Sequence, residues 1–288
     1  MLPTFIIALR EGVEASLIVG IIAAFLGQQG RRDALRWVWI GVSLAIALCL
    51  AVGIGLRVLG ENLPQAQQEG MEAIIALVAV AMVTYMIVWM RRHARAIKRT
   101  LEGEVAAALL NGSVLALVGM AFFAVLREGF ETAVFLLAVF ESATSPAAAS
   151  IGAILGLVVA AVLGYLIYKG GLRVNLGRFF RVTGAVLALV AAGLVASALH
   201  AAHEATWFNI LQAKAFDLSW LVAPGSVRAA LLTGMLGLRP EPTVGEALGW
   251  LLYLVPVGLY VLWPDRRRPA PARRATTPPV TTVEGTSR

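Results

Sequence analysis

Long apolar runs separated by short polar segments dominate the chain, and their lengths can be read against the thickness of a bilayer. A hydrocarbon core of about 30 Å takes roughly 20 apolar residues in a helix. Seven runs meet that length, at about 3–27, 37–59, 73–90, 114–139, 147–168, 182–199 and 247–263. They predict an all-α integral membrane protein with seven transmembrane helices. The first run is unlike a signal peptide, because it has no basic leading region and carries charges in mid-span. Two further apolar, aromatic runs, Trp207–Val222 and Val227–Leu238, predict interfacial helices that lie on the membrane or cap a vestibule.

Composition agrees. Of 288 residues, 59% are apolar and 14% charged, against about 25% charged in soluble domains; the mean hydropathy is +0.80. Glycines without a triplet period exclude collagen, and the absence of a sustained heptad excludes a coiled coil. The one cysteine, Cys49, excludes an intrachain disulfide and a thiolate metal cluster. The net charge of +7 is unevenly placed. The segments 28–36, 91–113 and 169–181 and the tail after 263 hold 18 of the 24 basic residues. With seven spans, these segments all fall on one side. The basic side is cytoplasmic, so the N-terminus is expected outside and the C-terminus inside. The opposite segments carry Glu61, Glu69, Glu72, Glu141, Glu204, Asp217, Glu241 and Glu246, an acidic mouth that would concentrate cations. No nucleic-acid partner is needed to explain the basic excess.

The spans divide into two sets of three. An odd number per set inverts the second relative to the first, so the expected architecture is a 3+3 inverted repeat plus one helix. The predicted organisation is repeat one at 1–90, a basic cytoplasmic loop at 91–113, repeat two at 114–199, an outer segment at 200–246, a last span at 247–263 and a disordered basic tail at 264–288. Five of the twelve prolines lie in that tail.

Within the spans, Arg57 lies close enough to an outer end to reach the headgroups. The other six charges form one pattern twice: Arg10-Glu11-Gly12-Val13-Glu14 in span one and Arg127-Glu128-Gly129-Phe130-Glu131 in span four. At 1.5 Å per residue both copies sit roughly 10–18 Å below the outer surface. A charge there costs about 2.5–3.5 kcal/mol or more, so the groups are expected to face one another or a wet cavity. The i,i+3 and i,i+4 spacings put each arginine and its glutamates on one helix face. Two arginines leave four carboxylates incompletely neutralised, and carboxylate oxygens suit hard cations and also Fe²⁺. Gly12 and Gly129 are expected to let the two motif helices approach closely. Interhelical ion pairs serving only as polar glue, or a proton relay, are the alternatives.

Two R-E-G-x-E motifs, in the first and fourth of seven spans, resemble the oxidase-dependent iron transporter family, which includes fungal high-affinity iron permeases and bacterial Efe-type permeases. The resemblance covers residues 1 to about 263. It implies an iron-translocating site in which Glu11, Glu14, Glu128 and Glu131 hold the metal, supported by Arg10 and Arg127. It also implies import across the bacterial inner membrane, beside a periplasmic cupredoxin-type iron-binding protein and a haem peroxidase; rocking of the two halves of the inverted repeat would release the ion to the cytoplasm. In the fungal members the partner is a ferroxidase. The expectation is therefore a transporter and not an enzyme, with iron (Fe²⁺ or Fe³⁺) as cargo and no tightly bound cofactor.

Weaker candidates for outer metal capture are Glu69 and Glu72 at the start of span three, and His200, His203 and Glu204 at the end of span six. The first pair also suits a helix N-terminus, and interfacial histidines are often structural. Met82, Met86 and Met90 read as helix packing, Gly152 and Gly156 as an intramolecular packing site, and Cys49 as an apolar filler. Two other functions fit part of the pattern. Carboxylates alone do not select iron over lead or manganese. A membrane lipid pyrophosphate phosphatase also uses central Glu and Arg, but it needs a helix-breaking loop that these continuous spans lack.

Overall fold

The structure, a computed structural model, describes residues 1–28, 30, 32–61, 63–93, 114–141, 143, 145–169, 176–220, 232–233, 236–237 and 239–262. Among these are seven long helices: α1 (Leu2–Gln28), α2 (Arg32–Glu61), α3 (Gln65–His93), α4 (Val114–Glu141), α5 (Pro146–Tyr168), α6 (Leu176–Glu204) and α7 (Val244–Leu262). A backbone in hydrocarbon must satisfy its own polar groups, which is why each apolar run becomes a helix. Five of the seven are long and apolar enough to cross a membrane. The other two, α1 and α4, are as long, but each carries the three charges of a motif.

α1 packs mainly on α5, α2 on α4, α3 on α6 and α7 on α6, with α1 and α4 also in contact. Exchanging α1–α2–α3 for α4–α5–α6 leaves this pairing unchanged. Each half is therefore built partly on the other. One apolar core joins α3, α4 and α6, and contains Val83, Met86, Phe135, Leu187 and Leu194. A second joins α1, α2 and α4 around Ile22, Leu26, Val38 and Val125. Outward faces remain apolar, with Leu44 and Leu50 on α2, Ile154 on α5 and Leu252 on α7 exposed, as lipid contact requires.

The closest contact is between α1 and α5. The buried face of α5 consists of Ala149, Gly152, Gly156, Ala160 and Gly164. A Cβ on Gly152 would meet the Met1 carbonyl, one on Gly156 the Phe5 carbonyl and one on Gly164 the Ser16 side chain. Backbone thus lies directly on backbone, the arrangement that small residues permit between membrane helices. The G-x-x-x-G pattern is intramolecular, as its sequence suggested. Ser145 caps α5, accepting from Ala148 N, and Pro146 occupies its first turn.

The outer segment departs from expectation. Residues 207–220 are not helical. α6 ends in paired hydrogen bonds, Thr206 N to His203 O (2.9 Å) and Trp207 N to Ala202 O (3.1 Å), with Thr206 at φ 60°. This is a Schellman stop, usually built on glycine. The chain then runs back along 240–245. Ala215 N donates to Pro242 O and Leu218 N to Pro240 O, and Lys214 bridges Thr243. Those backbone bonds replace the helix that the aromatic run suggested. Val222 and most of the run Val227–Leu238 lie outside the described residues, as do 94–113 of the basic loop and the tail from 263.

Replacing Gly156 by Leu should overpack the α1–α5 contact and cost about 3 kcal/mol, seen as a lower Tm in detergent. Gly258→Ala, at a position with nothing within 4 Å of a new Cβ, should leave Tm unchanged or raise stability by up to about 1 kcal/mol.

Candidate functional site

The first motif is sealed inside the helix bundle. Arg10 is 1% exposed. Its Nη1 donates to Glu11 Oε1 (2.9 Å) and its Nη2 pairs with Glu14 Oε1 (3.0 Å). Nη1 also reaches Met86 Sδ on α3, and the guanidinium stands 5.8 Å from the Phe180 ring centroid on α6. An arginine with two carboxylates, a thioether and an aromatic face is well matched to a site without water. Met86 reads as a packing residue in the sequence, and the structure adds its contact, and that of Phe180, with the guanidinium.

The second motif is built differently. Arg127 Nε donates to Glu131 Oε1 (3.0 Å), its guanidinium lies 5.7 Å from the Trp89 ring centroid, and its side chain is 51% exposed. Glu128 is buried. One carboxylate oxygen from each of Glu11, Glu128 and Glu131 lies within 4.8 Å of the other two. Glu14 is not in that trio and is held by Arg10. Glu11 Oε2 is buried with no hydrogen-bond donor. Three clustered acceptors repel one another unless a proton or cation lies among them. An ion there would need shifts of only a few tenths of an ångström to reach the roughly 2.1–2.6 Å of carboxylate–metal bonds.

The motif glycines do not face each other. A Cβ on Gly12 would meet Ala160 Cβ of α5 at 2.7 Å, and one on Gly129 would meet Cys49 Sγ of α2 at 2.7 Å. A residue next to a glutamate points about 100° away from it on a helix. When the glutamates face inward, the glycines therefore face sideways and seat α1 on α5 and α4 on α2. Cys49 is the small residue opposite Gly129, and its thiol donates to Leu126 O (3.5 Å).

Where the start of α3 meets the C-terminal ends of α4 and α6 lies a cavity of 310 Å³, whose polar lining is Glu69, Glu72, Glu141, His200, Glu204 and Arg239 with Ser197. Four of the five outer candidates therefore converge. His203 is not among the lining residues; its ring packs edge-on against Phe208, centroids 4.5 Å apart. The sequence placed Glu141 and Glu246 in the acidic mouth without singling them out, and gave Arg239 no role at this place. His200 Nδ1 lies 2.9 Å from Glu246 Oε1 and Nε2 lies 3.0 Å from Glu204 Oε1. Glu246 also closes a capping box at the start of α7, where Glu246 N donates to Thr243 Oγ1 (3.2 Å) and Thr243 N to Glu246 Oε2 (3.4 Å). The spacing Thr-x-x-Glu before an apolar run was the available signal.

An apolar layer separates the cavity from the trio. Along α4, Ala138 lines the cavity and Glu131 lies seven residues deeper, about 10 Å at the helical rise. Phe135, 1% exposed, fills that interval in the core with Val83, Leu187 and Leu194.

The family described as the iron permease FTR1 family matches residues 1–264. A ferrous iron permease EfeU of Escherichia coli O6:K15:H31 (strain 536 / UPEC) is 43% identical over 272 residues, covering 92% of this chain and 97% of the relative. A ferrous iron permease EfeU of Shigella sonnei (strain Ss046) is 43% identical over 281 residues, covering 96% and 100%. The Yersinia pestis protein of the same description is 44% identical over 268 residues, covering 92% and 95%. No solved structure matches.

The two arginines should differ when neutralised. Arg10→Gln strands buried carboxylates and should cost about 3–5 kcal/mol of stability. Arg127→Gln, half-exposed, should cost about 1 kcal/mol or less. Thermal unfolding of both variants in one detergent checks the contrast.

Proposed function

Because the chain belongs to the iron permease FTR1 family, we propose that it carries iron into the cell through a deep site made from its two R-E-G-x-E motifs. It is a multi-pass membrane protein whose relatives are named as permeases. Ferrous iron, the ion in those relatives' names, is the cargo in this reading. The observation that carries it is the meeting of Glu11 from the first motif with Glu128 and Glu131 from the second. Arg10 and Arg127 pair with the neighbouring carboxylates and offset part of their charge, so that an ion is held without being trapped.

In the same reading seven helices span the membrane, with the N-terminus outside, the C-terminus inside and the second three helices inverted relative to the first. The acidic cavity then faces outward and gathers the ion. The Phe135 layer yields, the trio receives the ion, and Glu14, one turn further along α1, takes it next towards the cytoplasm. The partners implied by the resemblance, a cupredoxin-type protein with a haem peroxidase or else a ferroxidase, would deliver iron to the outer cavity. Carboxylate oxygens alone leave manganese and lead as competitors. A phosphatase reading gains no support, because both motifs lie in unbroken helices whose backbone N–H groups are already bonded and cannot cradle phosphate.

Anaerobic uptake of radioactive Fe²⁺ into proteoliposomes provides the test. Glu11→Gln, Glu128→Gln and Glu131→Gln should each lower the initial rate at least about tenfold, the effect of losing some 1.4 kcal/mol of binding, while the protein elutes as folded. Full uptake by folded Glu131→Gln protein would remove the trio from the path. Competition by Mn²⁺ and Pb²⁺ in the same assay measures selectivity.

A further inference from the structure

We propose that Arg239 is a tethered counter-cation that occupies the outer cavity against His200, and that an incoming metal ion must displace it. The inference rests on the outer-capture reading above and adds the residue that sets the affinity of that capture.

The hydrogen bonds assign the imidazole. Glu246 Oε1 sits 2.9 Å from His200 Nδ1, and a carboxylate can only accept there, so Nδ1 carries the proton. The Arg239 guanidinium can only donate, so the Nε2 it meets presents a lone pair. Glu204 Oε1, a second acceptor, lies 3.0 Å from the same Nε2. Two acceptors that close repel, and a positive charge nearby offsets the repulsion. Arg239, which also lines the cavity, is the positive group at hand.

The same two atoms suit a metal ion. Octahedral ions with bonds of about 2.1 Å separate adjacent ligands by about 3.0 Å. A carboxylate–imidazole pair that leaves one ring nitrogen pointing at a cation is a usual support for a metal ligand. Glu246 is the positioning residue, fixed from behind by its bonds in the capping box of α7.

The position of Arg239 is built from both sides. Trp250 Nε1 on α7 donates to Leu236 O (2.8 Å). Gly237, at φ +62°, lies directly against Gly193 of α6, where neither residue has room for a Cβ. Beyond Arg239, Leu218 N donates to Pro240 O (2.7 Å). The segment brings a cation into a cavity otherwise lined by four glutamates and a histidine. It therefore offsets some of the charge that draws cations in, and weakly held cations meet a competitor that cannot diffuse away.

The experiment measures initial Fe²⁺ uptake in proteoliposomes and Mn²⁺ binding by electron paramagnetic resonance in detergent, using the full chain. Arg239→Gln should lower the KM and tighten Mn²⁺ binding roughly tenfold, the scale of removing one nearby charge from a partly screened site, with kcat unchanged or lower. Arg239→Lys, which returns a positive charge, should bring the KM back towards the wild-type value. Glu246→Gln, which can still close the capping box, should raise the KM without lowering Tm. An unchanged or higher KM in folded Arg239→Gln protein would overturn the proposal. The double variant His200→Ala/Glu204→Gln separates the two readings. If it leaves KM and Mn²⁺ binding as in the wild type, outer capture itself fails and the proposal with it. If it weakens both while Arg239→Gln changes neither, only the proposal fails.

Discussion

A carboxylate deep in a bilayer must be paired, protonated or given a cation, because hydrocarbon offers it nothing else. Four glutamates on two helices turn that rule into an architectural constraint. α1 and α4 must face one another, and apolar surface must enclose them. Arg10 meets the constraint for one helix by binding both of its glutamates. Arg127 meets it in part for the other by binding Glu131. What remains is the trio of Glu11, Glu128 and Glu131, where acceptors gather without enough donors. The core around Phe135, the glycine contacts and the small-residue face of α5 all serve to keep those groups together and away from lipid.

Much of this was legible in the sequence because bilayer thickness and helical spacing leave few choices. The seven apolar runs correspond to seven helices, with differences mainly at the ends. α3 begins at Gln65 and α6 continues to Glu204, so the polar residues beyond the apolar runs are still helical. The doubled motif marked the residues that meet. What could not be read were contacts set by tertiary structure. Nothing local shows that Gly12 faces Ala160 or that Gly129 faces Cys49, although the 100° step between neighbouring side chains makes it reasonable afterwards. The stop at Thr206 lacks the usual glycine, which is why the aromatic run after it looked like a further helix. Arg239 lies in a segment whose path depends on Gly237, Leu236 and Trp250 together, and no spacing rule joins those to His200.

The two copies of the motif show how far identical spacing can diverge in use. Arg10 is enclosed by α1, α3 and α6, where its charge is screened less than at a surface. Arg127 is half-exposed beside Trp89, where a wetter environment would weaken the same interaction. The two motifs therefore supply one enclosed wall and one half-exposed wall, and the glutamate oxygens of the trio come from both.

The contact between α1 and α5 also limits how the molecule can move. With carbonyls of α1 seated where Cβ atoms of α5 would otherwise be, the two helices cannot separate slightly; they stay joined or lose the contact altogether. The same pairing on the other side joins α2 to α4. Each of these tight pairs takes one helix from each half of the chain, so the contacts that hold the molecule together cross between the halves instead of staying within them.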